Sequence, residues 1–141
     1  MRWKHSTGLI LALLLVVACS DSTTGPEGGD QIFTGQVLYQ NPDVQFHPFV
    51  MPDTSVVRVE IVDLVPILGD LEPPDGFTIS VGFGLGLPVE GACRPTYQAS
   101  VIEGSVFSFQ LNPNEYCIVL VDAGAVLPDM VVDYVVSLTP D

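Results

Sequence analysis

Apolar and polar side chains alternate along most of the chain from Gln31 onward, and no window of eleven or more residues carries a helical apolar stripe. The alternation is clearest over residues 77–87, where apolar side chains occupy every second position and Thr, Ser and Gly occupy the positions between them. A period of two places successive side chains on opposite faces of a β-strand. The pattern therefore predicts a strand over 77–87 with one face in a core.

Six other segments alternate in the same way and are predicted as strands, at residues 32–39, 44–51, 57–61, 106–111, 116–122 and 131–139. Pro48 removes a backbone donor, so its strand is expected at a sheet edge. The alternation slips in phase at residues 62–64, which predicts a β-bulge or a strand that leaves its sheet. The turn at residues 112–115 predicts a hairpin between the strands on either side of it.

These strands are short and are separated by turns rich in Gly, Pro, Asn and Asp. Seven or eight such strands in about 110 residues are typical of an antiparallel sandwich of two sheets. The sequence therefore predicts one all-β domain over residues 31–141.

The first 18 residues combine a basic start with an apolar segment from Gly8 to Ala18. Eleven helical residues span about 16 Å, roughly half of a hydrocarbon layer of about 30 Å, which is typical of a signal peptide rather than a permanent span. Residues 16–19, Val-Val-Ala-Cys, resemble the lipobox of bacterial lipoprotein precursors. The resemblance implies diacylglycerol on Cys19, cleavage after Ala18 and a palmitate-type acyl chain on the new amino terminus. An ordinary secretory signal that contains a cysteine is the alternative.

Residues 20–30 contain no apolar side chain larger than proline, and so they predict a flexible tether with a span of about 18 Å. The expected organisation is a signal peptide at 1–18, the lipidated cysteine and tether at 19–30, and the domain at 31–141. Ser20 stands where some bacteria use Asp to retain a lipoprotein in the inner membrane. Its identity favours the outer membrane, on the periplasmic or the surface face.

The mature chain is strongly acidic. Two of the four basic residues leave with the signal peptide, whereas all 17 acidic residues follow Cys19, so the formal charge changes from −13 to −15. Such a surface repels nucleic acid and anionic lipid and attracts cations. The alternative is that the charge only keeps an apolar domain soluble.

Cys93 and Cys117 are the two cysteines that remain after Cys19. An even pair in an oxidising, exported compartment predicts a disulfide, and a loop of 23 intervening residues gives it a stabilisation of about 3 kcal/mol. A zinc site would need further cysteines or histidines beside them.

The C-terminal part of the domain resembles the end of bacterial pre-peptidase C-terminal domains. The residues concerned are 111–122, Leu-Asn-Pro-Asn-Glu-Tyr-Cys-Ile-Val-Leu-Val-Asp, and 133–138, Asp-Tyr-Val-Val-Ser-Leu. Those domains carry a turn with Pro or Gly, a Tyr opening a strand, an Asp closing it and a final strand of the Tyr-x-Leu-x-Val type. Here the turn lacks the usual Pro-Gly or Ala-Gly pair, and no protease is attached. The resemblance covers about 30 residues and implies a jelly-roll-like β-sandwich that serves as a non-catalytic accessory module.

Candidate catalytic groups are few. His47 is the one histidine after Cys19, and no Gly-x-Ser-x-Gly elbow exists for it to serve. Glycoside hydrolysis needs a pair of carboxylates, but among 17 acidic residues such a pair carries no specific signal. The single tryptophan, Trp3, lies in the signal peptide. The sequence therefore predicts no enzyme, and a surface or partly packed role for His47.

Gly82, Gly84 and Gly86 are similar to a nucleotide loop in composition only, because Leu87 and Pro88 follow where a third glycine and a helix are needed. Alternate glycines on one strand face are expected to admit a crossing chain or an aromatic cap. A shallow ligand groove over that bare face is the alternative.

Calcium is the one cofactor that the sequence raises, because loop carboxylates are its usual ligands. The candidate metal ligands lie in two acid-rich loops and are Asp70, Glu72 and Asp75 in the first and Asp122, Asp129 and Asp133 in the second. Neither loop follows the Asp-x-Asp-x-Asp-Gly pattern, so solvated turn residues are the other interpretation.

The expected function is that of a lipid-anchored, non-catalytic interaction or structural module of the bacterial cell envelope. Its partners would be the membrane, through the lipid, and envelope proteins or glycans, with nucleic acid excluded. A calcium- or carbohydrate-binding lipoprotein is the alternative. The sequence leaves the oligomeric state open.

Overall fold

The computed structural model describes residues 30–41 and 45–141. The predicted signal peptide, the lipidation of Cys19 and nearly all of the predicted tether lie outside the described residues, and so does the start of the strand expected at 44–51. None of the described residues belongs to a helix that could cross a membrane.

Eight β-strands make up the described domain. They are β1 Gln31–Leu38, β2 His47–Met51, β3 Ser55–Ile67, β4 Val81–Val89, β5 Ala92–Val101, β6 Val106–Leu111, β7 Asn114–Val121 and β8 Val131–Pro140.

The strands form two four-stranded antiparallel sheets. The first sheet has the order β1-β8-β3-β6 and the second has the order β2-β7-β4-β5. The outermost strands of the chain pair with each other, β1 with β8, then β2 with β7, β3 with β6 and β4 with β5. A long hairpin rolled into two sheets gives this connectivity, which is that of a jelly roll. The predicted all-β sandwich is confirmed.

The core lies between the two sheets. On β3, Val57, Val59 and Ile61 are fully buried and alternate with partly exposed polar residues, and β8 shows the same pattern. The described part of the chain has no buried polar or charged residue. Each fully buried aliphatic side chain stabilises the fold by about 1.5–3 kcal/mol, which is why the period-two pattern dictates the sandwich.

Several local predictions are confirmed. The register of β3 against β8 shifts between Ile61 and Asp63, where the alternation slips. β2, which contains Pro48, lies at the edge of the second sheet, as expected for a strand that lacks a backbone donor. The disulfide joins Cys93 on β5 to Cys117 on β7.

One strand prediction is wrong in part, and one strand is not predicted. The strand expected at 77–87 begins only at Val81, and Phe77 lies in a loop where its amide donates to the Pro74 carbonyl oxygen. The segment 92–101 forms β5, which the alternation does not single out because its outward positions are polar and its inward ones include Ala99.

The hairpin predicted around residues 112–115 is also wrong. β6 belongs to the first sheet and β7 to the second, so the turn carries the chain from one sheet to the other. A hairpin and a crossover between sheets have the same local signals, namely alternation on both sides of a turn. Which sheet each strand joins is decided by its distant partners, β3 for β6, and β2 and β4 for β7.

Strand direction separates the connections into two groups. Four long ones lie at one end of the sandwich, which we call the distal end, and comprise residues 39–46, 68–80, 102–105 and 122–130. Three short turns lie at the opposite, proximal end, at residues 52–54, 90–91 and 112–113. β1 starts and β8 finishes at the proximal end, because Gln31 pairs with Leu138.

Candidate functional site

A groove of about 280 Å³ opens at the distal end. The end of β3 forms one side, with Leu64 and Pro66, and the segment that precedes β4 forms another, with Phe77, Thr78 and Ile79. The turn that follows β5 completes the groove with Ile102 and Glu103. Because β3 belongs to the first sheet and β4 and β5 to the second, the groove lies where the two sheets part.

The turn that carries Glu103 is fixed by backbone hydrogen bonds to the bulge of β3. The Ile61 amide donates to the Ser105 carbonyl oxygen at 2.8 Å, and the Gly104 amide donates to the Ile61 carbonyl oxygen at 2.7 Å. The Ile102 amide also donates to the Ser105 hydroxyl at 3.0 Å. Gly104 has a φ of 78°, a conformation that glycine adopts without strain. The backbone at Glu103 therefore has a well-defined place on the rim of the groove.

The distal connections carry carboxylates and no lysine or arginine. The acidic residues that the structure describes there are Asp70, Glu72, Asp75, Glu103, Asp122 and Asp129. Arg58 lies on β3 towards the proximal end and forms an ion pair with Glu60, and Arg94 lies near the start of β5. The described parts of the distal connections therefore carry only negative charge among their Asp, Glu, Lys and Arg side chains.

The candidate calcium ligands are not gathered into one site. Across residues 30–41 and 45–141, no group of three or more His, Cys, Asp or Glu residues could hold a metal ion. Asp133 lies on β8 and accepts a hydrogen bond from the Gln36 side-chain amide at 2.9 Å. Asp70, Glu72 and Asp75 are exposed on the 68–80 connection, and Asp129 is exposed on the 122–130 connection. Calcium binding and carbohydrate binding stay predictions.

Asp122 has a structural role that the sequence interpretation missed. One carboxylate oxygen accepts hydrogen bonds from the amides of Gly124 at 2.7 Å and Val126 at 3.2 Å, and the other accepts one from the Gln40 amide at 3.1 Å. Desolvation works against the charged form, but these backbone hydrogen bonds outweigh it and lower the pKa of Asp122. The carboxylate thus clamps the β7–β8 loop to the β1–β2 turn, and amide hydrogens surround the oxygens that a cation would need.

His47 is partly buried against neighbouring aromatic rings. Its ring stacks on Phe33 with the centroids 5.1 Å apart, and its Nε2 lies 2.7 Å from the hydroxyl oxygen of Tyr134. Tyr134 is almost fully buried, and burial raises its pKa to about 12. Gly35 makes room for this pair, because a Cβ there would lie 2.3 Å from the Tyr134 hydroxyl oxygen.

Acid is expected to weaken the fold through His47. Burial lowers the pKa of His47 below its ordinary value of 6.5, so the unfolded chain takes up the proton first as the pH falls. The stabilisation from neutral His47 is present above about pH 6.5 and is lost as the pH falls through the folded pKa. The melting temperature should therefore drop between about pH 7.5 and about pH 5.5.

His47→Gln provides the control for this pH effect, because glutamine can keep the hydrogen bond to Tyr134 but does not titrate in this range. The drop in melting temperature should be smaller in His47→Gln than in the wild type. Equal drops in the two proteins would assign the acid sensitivity to the carboxylates instead.

The glycine-rich face lies on the outside of the second sheet, over a trough of about 350 Å³. A Cβ on Gly82 would lie 2.9 Å from Val121 Cγ2, and one on Gly84 would lie 2.9 Å from Pro95 Cγ. These two side chains therefore occupy much of the space that the glycines leave, so the expected aromatic cap is replaced by proline and valine. The lining of the trough carries no charged side chain.

At Gly86 the backbone of the neighbouring strand β5 approaches closely, beside a register shift in the β4–β5 pairing. A Cβ there would lie 2.0 Å from the carbonyl oxygen of Arg94, which belongs to the start of β5. β5 and β7 both flank β4, so their Cα atoms should be about 9.6 Å apart across it. The Cα atoms of Cys93 and Cys117 are only 5.8 Å apart. The start of β5 therefore approaches β7 across β4 near Gly86, and the disulfide joins the two strands there.

Neither the protein-family models nor the curated proteins contain a match to this chain.

Proposed function

We propose that the protein is a lipid-anchored module of the bacterial cell envelope that presents its distal end to a partner and catalyses no reaction. The observation that carries the proposal is the position of the domain's first strand relative to its loops. β1 begins at Gln31 at the proximal end, whereas the four long connections project from the distal end. A lipid on Cys19 would thus hold the domain by the end that has only short turns.

The dimensions suit presentation away from the bilayer. β8 has ten residues, which gives the sandwich a length of about 33 Å. The tether predicted at 20–30 would add a span of about 18 Å. The distal end would then stand roughly 50 Å from the lipid surface.

Charge supports the same arrangement. The mature chain has a formal charge of −15 and would be repelled by anionic lipid head groups. Adhesion through the protein surface is therefore unfavourable, and acyl chains on Cys19 would supply the membrane affinity. The resemblance of residues 111–122 and 133–138 to pre-peptidase C-terminal domains favours a non-catalytic role.

Cys19→Ala is expected to release the protein from the membrane, because the acyl chains are lost with the thiol. The wild type should incorporate radiolabelled palmitate and sediment with membranes, and Cys19→Ala should do neither. Ser20→Ala is the matched control and should keep both properties. An unmodified Cys19 thiol found by mass spectrometry of the wild type would contradict the proposal.

The orientation can be tested separately on the anchored protein in vesicles. A fluorophore coupled to Leu127→Cys, at the distal end, should transfer less energy to a dye in the lipid than one coupled to Asp53→Cys, at the proximal end. Both positions are exposed, and Cys93 and Cys117 are joined to each other, so labelling is selective. Equal transfer from the two positions would contradict presentation of the distal end.

A further inference from the structure

We propose that the distal groove binds the side chain of a lysine or arginine from a basic polypeptide partner. The inference rests on the proposed function for one point, that the groove faces away from the membrane. It adds the chemistry of the partner that binds there. The groove itself is a feature of the fold and exists whether or not the chain carries a lipid.

The groove is lined by apolar side chains and also by polar groups. Leu64 and Ile79 are nearly fully buried, whereas Phe77 and Ile102 are 41% and 47% exposed. Phe77 and Ile102 are thus large apolar side chains partly open to solvent beside a cavity of about 280 Å³. Such a cavity takes an aliphatic stem of the kind that lysine and arginine carry.

The charge around the groove is complementary to a cationic head group. Glu103 is the one charged residue among those that line it. The adjoining 68–80 connection adds Asp70, Glu72 and Asp75, and neither this connection nor the 102–105 turn contains a lysine or arginine. A lysine or arginine side chain would place its stem against the apolar walls and its charge at Glu103, while the surrounding acids would attract the rest of a basic segment.

The trough on the glycine-rich face fits this occupant less well. It is larger, at about 350 Å³, but its lining has no carboxylate to receive a cation. The clamped carboxylate of Asp122 is also unsuited, because backbone amides already donate to both of its oxygens. Glu103 at the distal groove is therefore the position where an apolar wall and an acid meet.

The probe for the first experiment is a fluorescein-labelled Arg-Gly repeat peptide, with the same repeat containing citrulline in place of arginine as its uncharged counterpart. The full chain, purified in a non-ionic detergent, should bind the arginine peptide and not the citrulline peptide in fluorescence anisotropy. Glu103→Gln should weaken binding about three- to tenfold, because it removes one charge-assisted contact in a partly apolar setting. Glu115→Gln, an exposed proximal site, makes the same change in net charge and should have no such effect.

A second experiment fills the groove without changing any charge. Thr78 is exposed and lines the groove, so Thr78→Trp should occupy it and abolish most of the peptide binding. Leu71→Trp is the matched control, because Leu71 is 73% exposed on the same connection but does not line the groove. Melting curves of all four variants check that each is folded.

Three outcomes would overturn the inference. They are equal binding of the arginine and citrulline peptides, equal weakening by Glu103→Gln and Glu115→Gln, and full binding by Thr78→Trp. Since the peptide assay does not depend on lipidation, its failure is distinguishable from failure of the anchoring proposal, which Cys19→Ala tests.

Discussion

Gly86→Ala should destabilise the fold by about 3 kcal/mol or more, because the added methyl group meets backbone and not a movable side chain. Its Cβ would lie 2.0 Å from the carbonyl oxygen and 2.6 Å from the carbonyl carbon of Arg94. No rotamer change can relieve that overlap. The start of β5 would have to move away from Gly86, and the disulfide between Cys93 and Cys117 holds it there. Urea denaturation monitored by tyrosine fluorescence would measure the loss.

Gly82→Ala is the control for this effect, since it adds the same methyl group to the same strand face. The nearest atom to its Cβ would be Val121 Cγ2, at 2.9 Å, which belongs to a partly exposed side chain. We expect a cost of about 1 kcal/mol. If Gly86→Ala and Gly82→Ala unfolded at the same urea concentration, the backbone of β5 would not approach Gly86 as described.

The fold class follows from the sequence because it depends on local alternation. On β8, every second side chain from Val132 to Leu138 is buried, and a strand with this pattern is stable only with one face against a core. The disulfide is predictable for a similar reason, since a domain with two cysteines has one possible pairing. Fold class and pairing need no knowledge of which strands are neighbours.

The strand partners are not predictable in this way. The crossover of residues 112–113 looks like a hairpin turn in the sequence, and β5 presents a weak apolar pattern because it is an edge strand. Both features are fixed by contacts far apart along the chain, such as the pairing of β1 with β8. A period of two indicates which residues face the core, but it does not indicate which strands pair with each other.

The candidate site is likewise predictable from the sequence only in part. Composition indicates an acidic protein that favours cations, but the groove exists only because the ends of β3 and β5 meet the segment before β4. Glu103 has no sequence signal that separates it from the other acids. Backbone hydrogen bonds of Gly104 and Ser105 with Ile61 fix the backbone of the turn that carries Glu103. Ile61 lies at the bulge of β3.

For Asp122, the sequence and the structure indicate different roles. Its place in an acid-rich loop makes it a candidate calcium ligand in the sequence, whereas in the structure its carboxylate accepts three backbone hydrogen bonds. The only local signal for that role is an Asp that precedes a Gly-containing turn. The bond from the Gln40 amide has no local signal, because it joins two loops that are distant along the chain.

Removing the disulfide should lower the stability by about 3 kcal/mol, because Cys93 and Cys117 are separated by 24 positions and their bond restricts the unfolded chain. Replacing both by Ala is expected to lower the melting temperature by roughly 10–15 °C. Differential scanning calorimetry would measure the shift, and reductant should produce a similar shift in the wild type and none in the variant. Equal melting of the wild type with and without reductant would contradict this expectation.

The disulfide and Gly86 should also be energetically coupled, because the bond joins the start of β5 to β7 across β4 near Gly86. Without it, β5 can move away from β4, so Gly86→Ala should cost less in the variant that lacks both cysteines than in the wild type. A double-mutant cycle over the four proteins gives this coupling directly, and residues in contact typically differ from additivity by about 0.5–3 kcal/mol. Additive costs would show that the close approach of β5 to Gly86 is held by strand pairing alone.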